Sequence, residues 1–242
     1  YKIISIGNDA FEKTNLDSLL FPKDSEVEIF GYSSFYLSTI KHLQIPPKLN
    51  RVCDNWCYWA TNLADIEVSP KNKIFSYIDN KYLVSRNETL HYAHTDIEEA
   101  NIPPQIKFVC NNAFTGHKKL KSVIFPTNSM LKSIIGEAFY CSAISKLVLP
   151  ETLEYIDNNT FNYTEFLFHI EISPNNRKFS LIDKTLLLKK SDPTCNDFDV
   201  LIFCRRDAEN VKIPSYIKVI NDYAFDNCRK LKSLTFESGS NL

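Results

Sequence analysis

The chain has 242 residues, 44% of them hydrophobic, and a formal net charge of -1 from 28 basic and 29 acidic side chains. This is enough apolar material for a packed core and excludes a disordered chain, while the balanced charge gives no clustered basic face of the kind nucleic acid requires. No apolar run approaches the roughly 20 residues of a membrane-spanning helix, so no direct membrane insertion by this segment is expected, and no basic start with an apolar stretch marks a secretory leader.

In chain order, one motif recurs. An apolar residue is followed five places later by an aromatic, usually with a small residue just before the ring. The hits are IGNDAF (Ile6 to Phe11), FGYSSF (Phe30 to Phe35), CDNWCY (Cys53 to Tyr58), VCNNAF (Val109 to Phe114), IIGEAF (Ile134 to Phe139), IDNNTF (Ile156 to Phe161) and INDYAF (Ile220 to Phe225). A second phrase follows each, Leu-x-x-Leu-x-apolar, often closed by proline, as at Leu16, Leu19, Phe21 and Pro22 or at Ile144, Leu147, Leu149 and Pro150. Apolar residues two apart suit a short strand with one buried face. Proline ends such a strand because it has no N–H to donate. A unit of about two dozen residues buries too few large side chains to fold alone, so the units are expected to stack as a solenoid.

Two intervals break the rhythm. Tyr58 to Phe114 spans 56 residues and Phe161 to Phe225 spans 64. Each contains a near copy of one phrase, SPKNKIFSYIDNKYLV from Ser69 and SPNNRKFSLIDKTLLL from Ser173, which lie 104 residues apart. Strand-like runs with turn signals follow each copy, so β-hairpin insertions are expected near residues 82–93 and 185–204. The second should have a longer tip over 191–198, with Asp-Pro and Asn-Asp turn signals. The expected architecture is a single domain over 1–242 of about nine coils, mostly short parallel strands and turns with few short helical turns, two coils carrying protruding hairpins. Both ends are expected to lie mid-unit.

The phrases LKSVIFP, LVLPETLEYIDNNTF and IPSYIKVINDYAFDNCRKLKSLTF, with the duplicated SPxNxxFSxID, resemble the BspA-like class of leucine-rich repeats over nearly the whole chain. The resemblance implies a leucine-rich repeat solenoid of the α/β class and a cell-surface or secreted protein that adheres to host or matrix proteins, without catalysis or cofactor. An intracellular scaffold of the same fold is the alternative, which would leave the chain cytoplasmic. The departures are Tyr58 for Phe, Cys57 for Ala, and few retained glycines, at Gly7, Gly31 and Gly136.

Protein partners are therefore expected, and two surfaces are candidates. Trp56 and Trp59 flank Tyr58 in NWCYW, where other coils carry polar residues, and exposed tryptophan is enriched in binding hot spots. Packing against the following hairpin is the rival reading. Tyr36 and Tyr140 are assigned to the position of Trp59 and would extend an aromatic ridge. The second surface is the solvent side of the strands, with Lys41, His42, Asp65, Lys121, Lys146 and Lys232, interspersed with Leu20, Ile124 and Val148. Its rival reading is protection of a sheet by charge. Sequons stand at Asn87, Asn158 and Asn162, and Asn87 falls at an expected hairpin tip where a glycan fits. His91 and His94 are three apart but lack a third ligand nearby, so no metal site is expected. Asp79 and Asp183 recur with the duplicated phrase and read as turn residues. The seven cysteines are an odd number and read as buried thiols, not a disulfide framework. No phosphate loop, dinucleotide fingerprint, zinc-protease motif or nucleophile elbow occurs, so no catalytic residue is assigned.

Overall fold

The computed structural model describes residues 2–192, 194 and 197–240. Cys195 and part of the expected long tip lie outside the described residues. Each ordinary coil supplies one strand to each of two faces. In the first coil these are Ser5–Ile6 and Ser18–Leu19, in the second Ile29–Phe30 and His42–Ile45, and in the third Arg51–Val52 and Asp65–Val68. Pairing between coils is parallel and in register, Ile6 to Phe30 to Val52 on one face and Leu19 to Leu43 to Ile66 on the other. Nine coils follow one another this way among the described residues, with turns and no helix between the strands.

Apart from Tyr58, the motif rings point inward, as the stacked-coil reading requires. Phe35, Phe114 and Phe139 are fully buried, and Phe161 nearly so. Rings from adjacent coils stack, Phe11 on Phe35 and Phe114 on Phe139, each pair with centroids 5.4 Å apart. The scarcity of glycine is met by other residues at positive φ. Asp9, Ser33, Asn55, Asn112 and Tyr223 hold the first bend of their turns between 51° and 62°. Asn and Asp tolerate this region best among non-glycine residues.

The duplicated phrase forms the first half of a three-stranded antiparallel meander. Phe75–Ile78 pairs with Tyr82–Ser85, which pairs with Thr89–Ala93. Phe179–Ile182, Leu186–Lys189 and Val200–Cys204 repeat the arrangement. The two-residue turns Asp79–Asn80, Arg86–Asn87 and Asp183–Lys184 have both residues at positive φ. This is the turn whose twist matches a hairpin. The expected hairpins are therefore present, and the phrase adds a third strand to each. The last strand of each meander is also a rung of the solenoid, since Leu90 pairs in parallel with Val109 and Leu201 with Ile220.

A consequence follows from the register. From Leu90 to Ala100 is 10 residues, whereas the paired stretch from Val109 to Val123 is 14. From Leu201 to Val211 is again 10, against 14 from Ile220 to Leu234. Each meander coil is thus four residues short at the aromatic turn. The coils on either side close over the shortage: Asn55 Oδ1 of the third coil accepts hydrogen bonds from Asn111 and Asn112 of the fifth. Likewise, the Tyr163 N–H of the seventh coil donates to Asp226 of the ninth, 2.8 Å away.

Candidate functional site

The aromatic turn of the third coil settles one residue away from the alignment suggested by its sequence. Phe35 N–H donates to Trp56 O, just as Phe11 N–H donates to Ser34 O, so Cys57 occupies the place of Phe35. Trp56 therefore stands at the small-residue position. It turns its indole inward, only 3% exposed, against Phe30 (6.2 Å), Phe35 (6.2 Å) and Tyr92 (6.3 Å). The reason is volume: Cys57 leaves the usual phenylalanine slot underfilled, and close-packed cores do not tolerate such a void. Trp56 is a core ring and is removed from the candidate surface.

The same shift corrects the ridge. Tyr36 aligns with Tyr58, and Leu37 with Trp59, because Leu37 N–H donates to Tyr58 O at 3.0 Å. Tyr36 stacks on Tyr58 at 5.5 Å and 14°. Tyr58 then meets Tyr140 at 6.1 Å, although they belong to the third and sixth coils. Tyr140 meets Tyr163 at 5.2 Å. The four-residue shortage of the fourth coil makes this continuity possible. Gly116, at φ 71°, lies under the Trp59 ring, where a Cβ would come within 3.3 Å of it. The result is one row, Tyr36–Tyr58–Tyr140–Tyr163, with Trp59 set edge-on to Tyr58 at 6.1 Å. Tyr163 is 48% exposed, and the other four rings are partly exposed. Lys13 and Lys118 place ammonium groups over Tyr36 and Trp59 at 5.8 and 5.6 Å. Burial raises the Tyr58 and Tyr140 phenols above the ordinary range, so they remain neutral donors near pH 7. Tyr58, Tyr163 and Lys118 escaped the sequence reading. The one available signal for Tyr163 was an aromatic two places after the motif ring.

The charged strand face is organised differently. Lys41 pairs with Asp17 at 2.7 Å, Lys121 with Glu98, Lys146 with Glu171 at 3.0 Å and Lys232 with Glu209 at 2.7 Å. Each carboxylate sits one coil away, so the pairs form rungs between neighbouring units. His42 faces Asp65 at 3.4 Å in the same way. The lysine hydrogen bond is the main cause that lowers the Asp17 and Glu98 pKa values. For Glu171 the His169 bond leads and Lys146 follows. Leu20 is 67% exposed, and Ile124 and Val148 are partly buried between these rungs.

Asn87 is exposed at its meander turn, with its side chain accepting a bond from Gln105 at 3.3 Å. Asn158 is engaged by Lys189 and Asn221, and Asn162 is buried. The two histidines diverge: His91 Nε2 meets Ser85 Oγ at 2.8 Å, and His94 Nε2 meets Ala64 O at 2.7 Å. Several open grooves lie at the surface of the described residues. One lies beside the second meander, lined by His169, Glu171, Phe179, Leu181 and Phe198.

A family profile described as "BspA type Leucine rich repeat region" matches in six copies over residues 1–83, 86–183 and 198–241. Among solved structures, the chain is similar to a leucine-rich repeat protein from Eubacterium ventriosum, at 23% identity and a TM-score of 0.72, covering 95% of this chain and 57% of that one. It is similar to the pneumococcal vaccine antigen PcpA at 20% identity and a TM-score of 0.58, covering 98% and 51% respectively. It is also similar to a leucine-rich cell surface protein from Faecalibacterium prausnitzii at 18% identity and a TM-score of 0.55, covering 98% and 70%. At these identities the likeness is one of fold. The chain spans little more than half the length of the first two proteins. No curated protein matches it.

Proposed function

The chain belongs to the BspA-type leucine-rich repeat family, and on that premise we propose that it is a non-enzymatic protein-binding domain of a cell-surface adhesin or antigen, engaging its partner through the aromatic row. The observation that carries this reading is the row itself. Five partly exposed rings from four coils line up through a shortage in the fourth coil. Large rigid rings supply contact area at low entropic cost, which is why they dominate binding hot spots. The lysine face is the weaker candidate, because Lys41, Lys121, Lys146 and Lys232 already have carboxylate partners. Surface display accords with a relative named as a cell surface protein and another named as a vaccine antigen. In that setting the exposed Asn87 turn offers room for a glycan.

The test is binding of the purified domain to immobilised matrix glycoproteins and to cultured host cells, with Trp59→Ser/Tyr140→Ser as the comparison. The double variant is expected to lose on the order of tenfold in affinity or more, with an unchanged unfolding midpoint. Absence of binding to every matrix protein and cell, or undiminished binding by the variant, refutes the reading. One observation favours an intracellular scaffold instead: the described cysteines are free thiols, which suits a reducing compartment. Antibody or protease access to the protein on intact cells separates the two.

A further inference from the structure

The turn that follows the second meander contains a buried cation without an acidic partner within ion-pair distance among the described residues. Arg206 is 2% exposed. Its Nη2 donates to Phe161 O at 3.1 Å and its Nη1 to Ala224 O at 3.2 Å, carbonyls of the seventh and ninth coils. The guanidinium lies 4.4 Å from the centre of the Phe203 ring, and Nε is buried without a hydrogen-bond partner. Among the described residues, no carboxylate lies within ion-pair distance of Arg206. Asp226 is near enough to act on it, but its Oδ2 is taken by the Tyr163 N–H and by Asn227 Nδ2. Arg205, the neighbouring cation, pairs with Asp207. A buried charge left without a counter-ion is costly.

The ionisable group that touches Arg206 is a thiol. Nη1 lies 3.7 Å from Cys228 Sγ. Cys228 is partly exposed, and its neighbour Cys204, one coil earlier, is fully buried. The two sulfurs converge on one carbonyl: Cys204 Sγ is 3.7 Å and Cys228 Sγ 3.9 Å from Arg205 O. Cys228 Sγ also lies 3.7 Å from Cys204 O, the carbonyl of the other cysteine. We propose that Cys228 and Cys204 form a redox-active dithiol, with Cys228 as the attacking thiolate, Arg206 as its positioning cation, Cys204 as the resolving thiol, and small-molecule disulfides of the oxidised glutathione class as substrate.

The chemistry balances as thiol–disulfide exchange. The Cys228 thiolate attacks one sulfur of the small disulfide, forming a mixed disulfide and expelling one thiolate. Cys204 then gives its proton to that thiolate or to water and attacks Cys228 Sγ. The Cys204–Cys228 bond forms as the second small thiolate leaves. Two protein thiols are oxidised and one disulfide is reduced to two thiols. The environments fit these roles. The neighbouring Cys204 thiol, followed by the Arg206 guanidinium, lowers Cys228 below the ordinary thiol range despite its burial. The nearby Cys228 sulfur, together with burial, raises Cys204 and keeps it protonated in the reduced protein. Elsewhere burial likewise pushes Cys110 up to about 12 and Cys57 higher still. The site adjoins the Tyr163 end of the aromatic row through Asp226, and its chemistry does not depend on a binding partner.

The experiment is incubation of the reduced protein with oxidised glutathione, followed by intact mass and peptide mapping of wild type, Cys204→Ser and Cys228→Ser. Wild type is expected to lose two hydrogens, carry no adduct and map a Cys204–Cys228 link. Cys204→Ser is expected to stop at one glutathione on Cys228, and Cys228→Ser to form neither product at this site. At pH 6, alkylation of Cys228 in wild type should be on the order of fivefold faster than that of an ordinary exposed thiol. In Arg206→Met the pH midpoint of Cys228 alkylation should rise by about one unit, a readout that a purely structural arginine would not move. Wild type that stays fully reduced, or Cys204→Ser that carries no adduct on Cys228, overturns the proposal even if Arg206→Met fails to fold. An unmoved pH midpoint in folded Arg206→Met overturns the role given to Arg206.

Discussion

Asn176 is the residue at which the duplicated phrase is fastened to the coil before it. Its Nδ2 donates to Pro150 O (3.0 Å), Glu151 O (3.2 Å) and Leu153 O (3.0 Å), and its Oδ1 accepts from Lys178 N–H (2.9 Å) and Phe179 N–H (2.8 Å). Asn72 does the same in the first copy, reaching Pro46 O and Leu49 O and accepting from Ile74 and Phe75. Asn176→Ala strands the buried Phe179 N–H completely and the half-buried Lys178 N–H in part. At about 1–3 kcal/mol for each unsatisfied buried group, with the carbonyls regaining some water, the expected loss is about 3 kcal/mol. Asn72 is less buried, so Asn72→Ala should cost about half as much on the same scale. Asn176→Asp keeps the acceptor but aims a carboxylate at three carbonyls. It should be at least as destabilising at neutral pH and should recover when acid restores a donor. The assay is urea unfolding followed by far-UV circular dichroism, fitted with a common slope. A loss below about 0.5 kcal/mol for Asn176→Ala, within the range of ordinary surface substitutions, would refute the clamp.

Two other outcomes follow from the structure. Trp56→Ala should cost about 3–5 kcal/mol as a large core truncation, while Trp56→Phe should cost much less because it also deletes an indole N–H that is buried without a partner; equal urea midpoints for Trp56→Ala and wild type would return the ring to the surface. Burial lowers His91 from 6.5 to about 4, so the folded state favours the neutral ring. Its contribution is fully present above pH 6.5 and is lost as pH falls towards 4, a change of about 3 kcal/mol at 1.36 kcal/mol per unit. His91→Gln should flatten the stability profile in that window, and a profile identical to wild type would refute this assignment.

The repeat was legible because its determinants are local. Ile134 to Phe139 followed by Leu147 and Leu149 states a turn, an inward ring and a strand within one coil, and the structure places each as read. The aromatic row was legible only in part. Tyr36, Tyr140 and Trp59 stood out by type, but Tyr58 passed for a core ring, and Trp56 stood between a partner patch and packing against the following hairpin, the second of which its contact with Tyr92 bears out. A one-residue slip cannot be seen in NWCYW, where nearly every position is large. It is decided by which ring fills the void left by Cys57 beside Phe30, Phe35 and Tyr92. The ion pairs of Lys41, Lys121, Lys146 and Lys232 were not legible for a related reason, since their carboxylate partners lie about one coil away.

The amino-acid sequence by itself determined the coil length, the inward rings, the class of fold and the places where the rhythm breaks, since each depends on spacing within about two dozen residues. The tertiary structure decided the surface. Both meander coils are four residues short at one turn, which brings the third coil against the fifth and the seventh against the ninth. That closure lines up rings from coils far apart in the chain and traps Arg206 beside two cysteines. Such contacts arise from stacking, a sum over neighbours that no single repeat encodes.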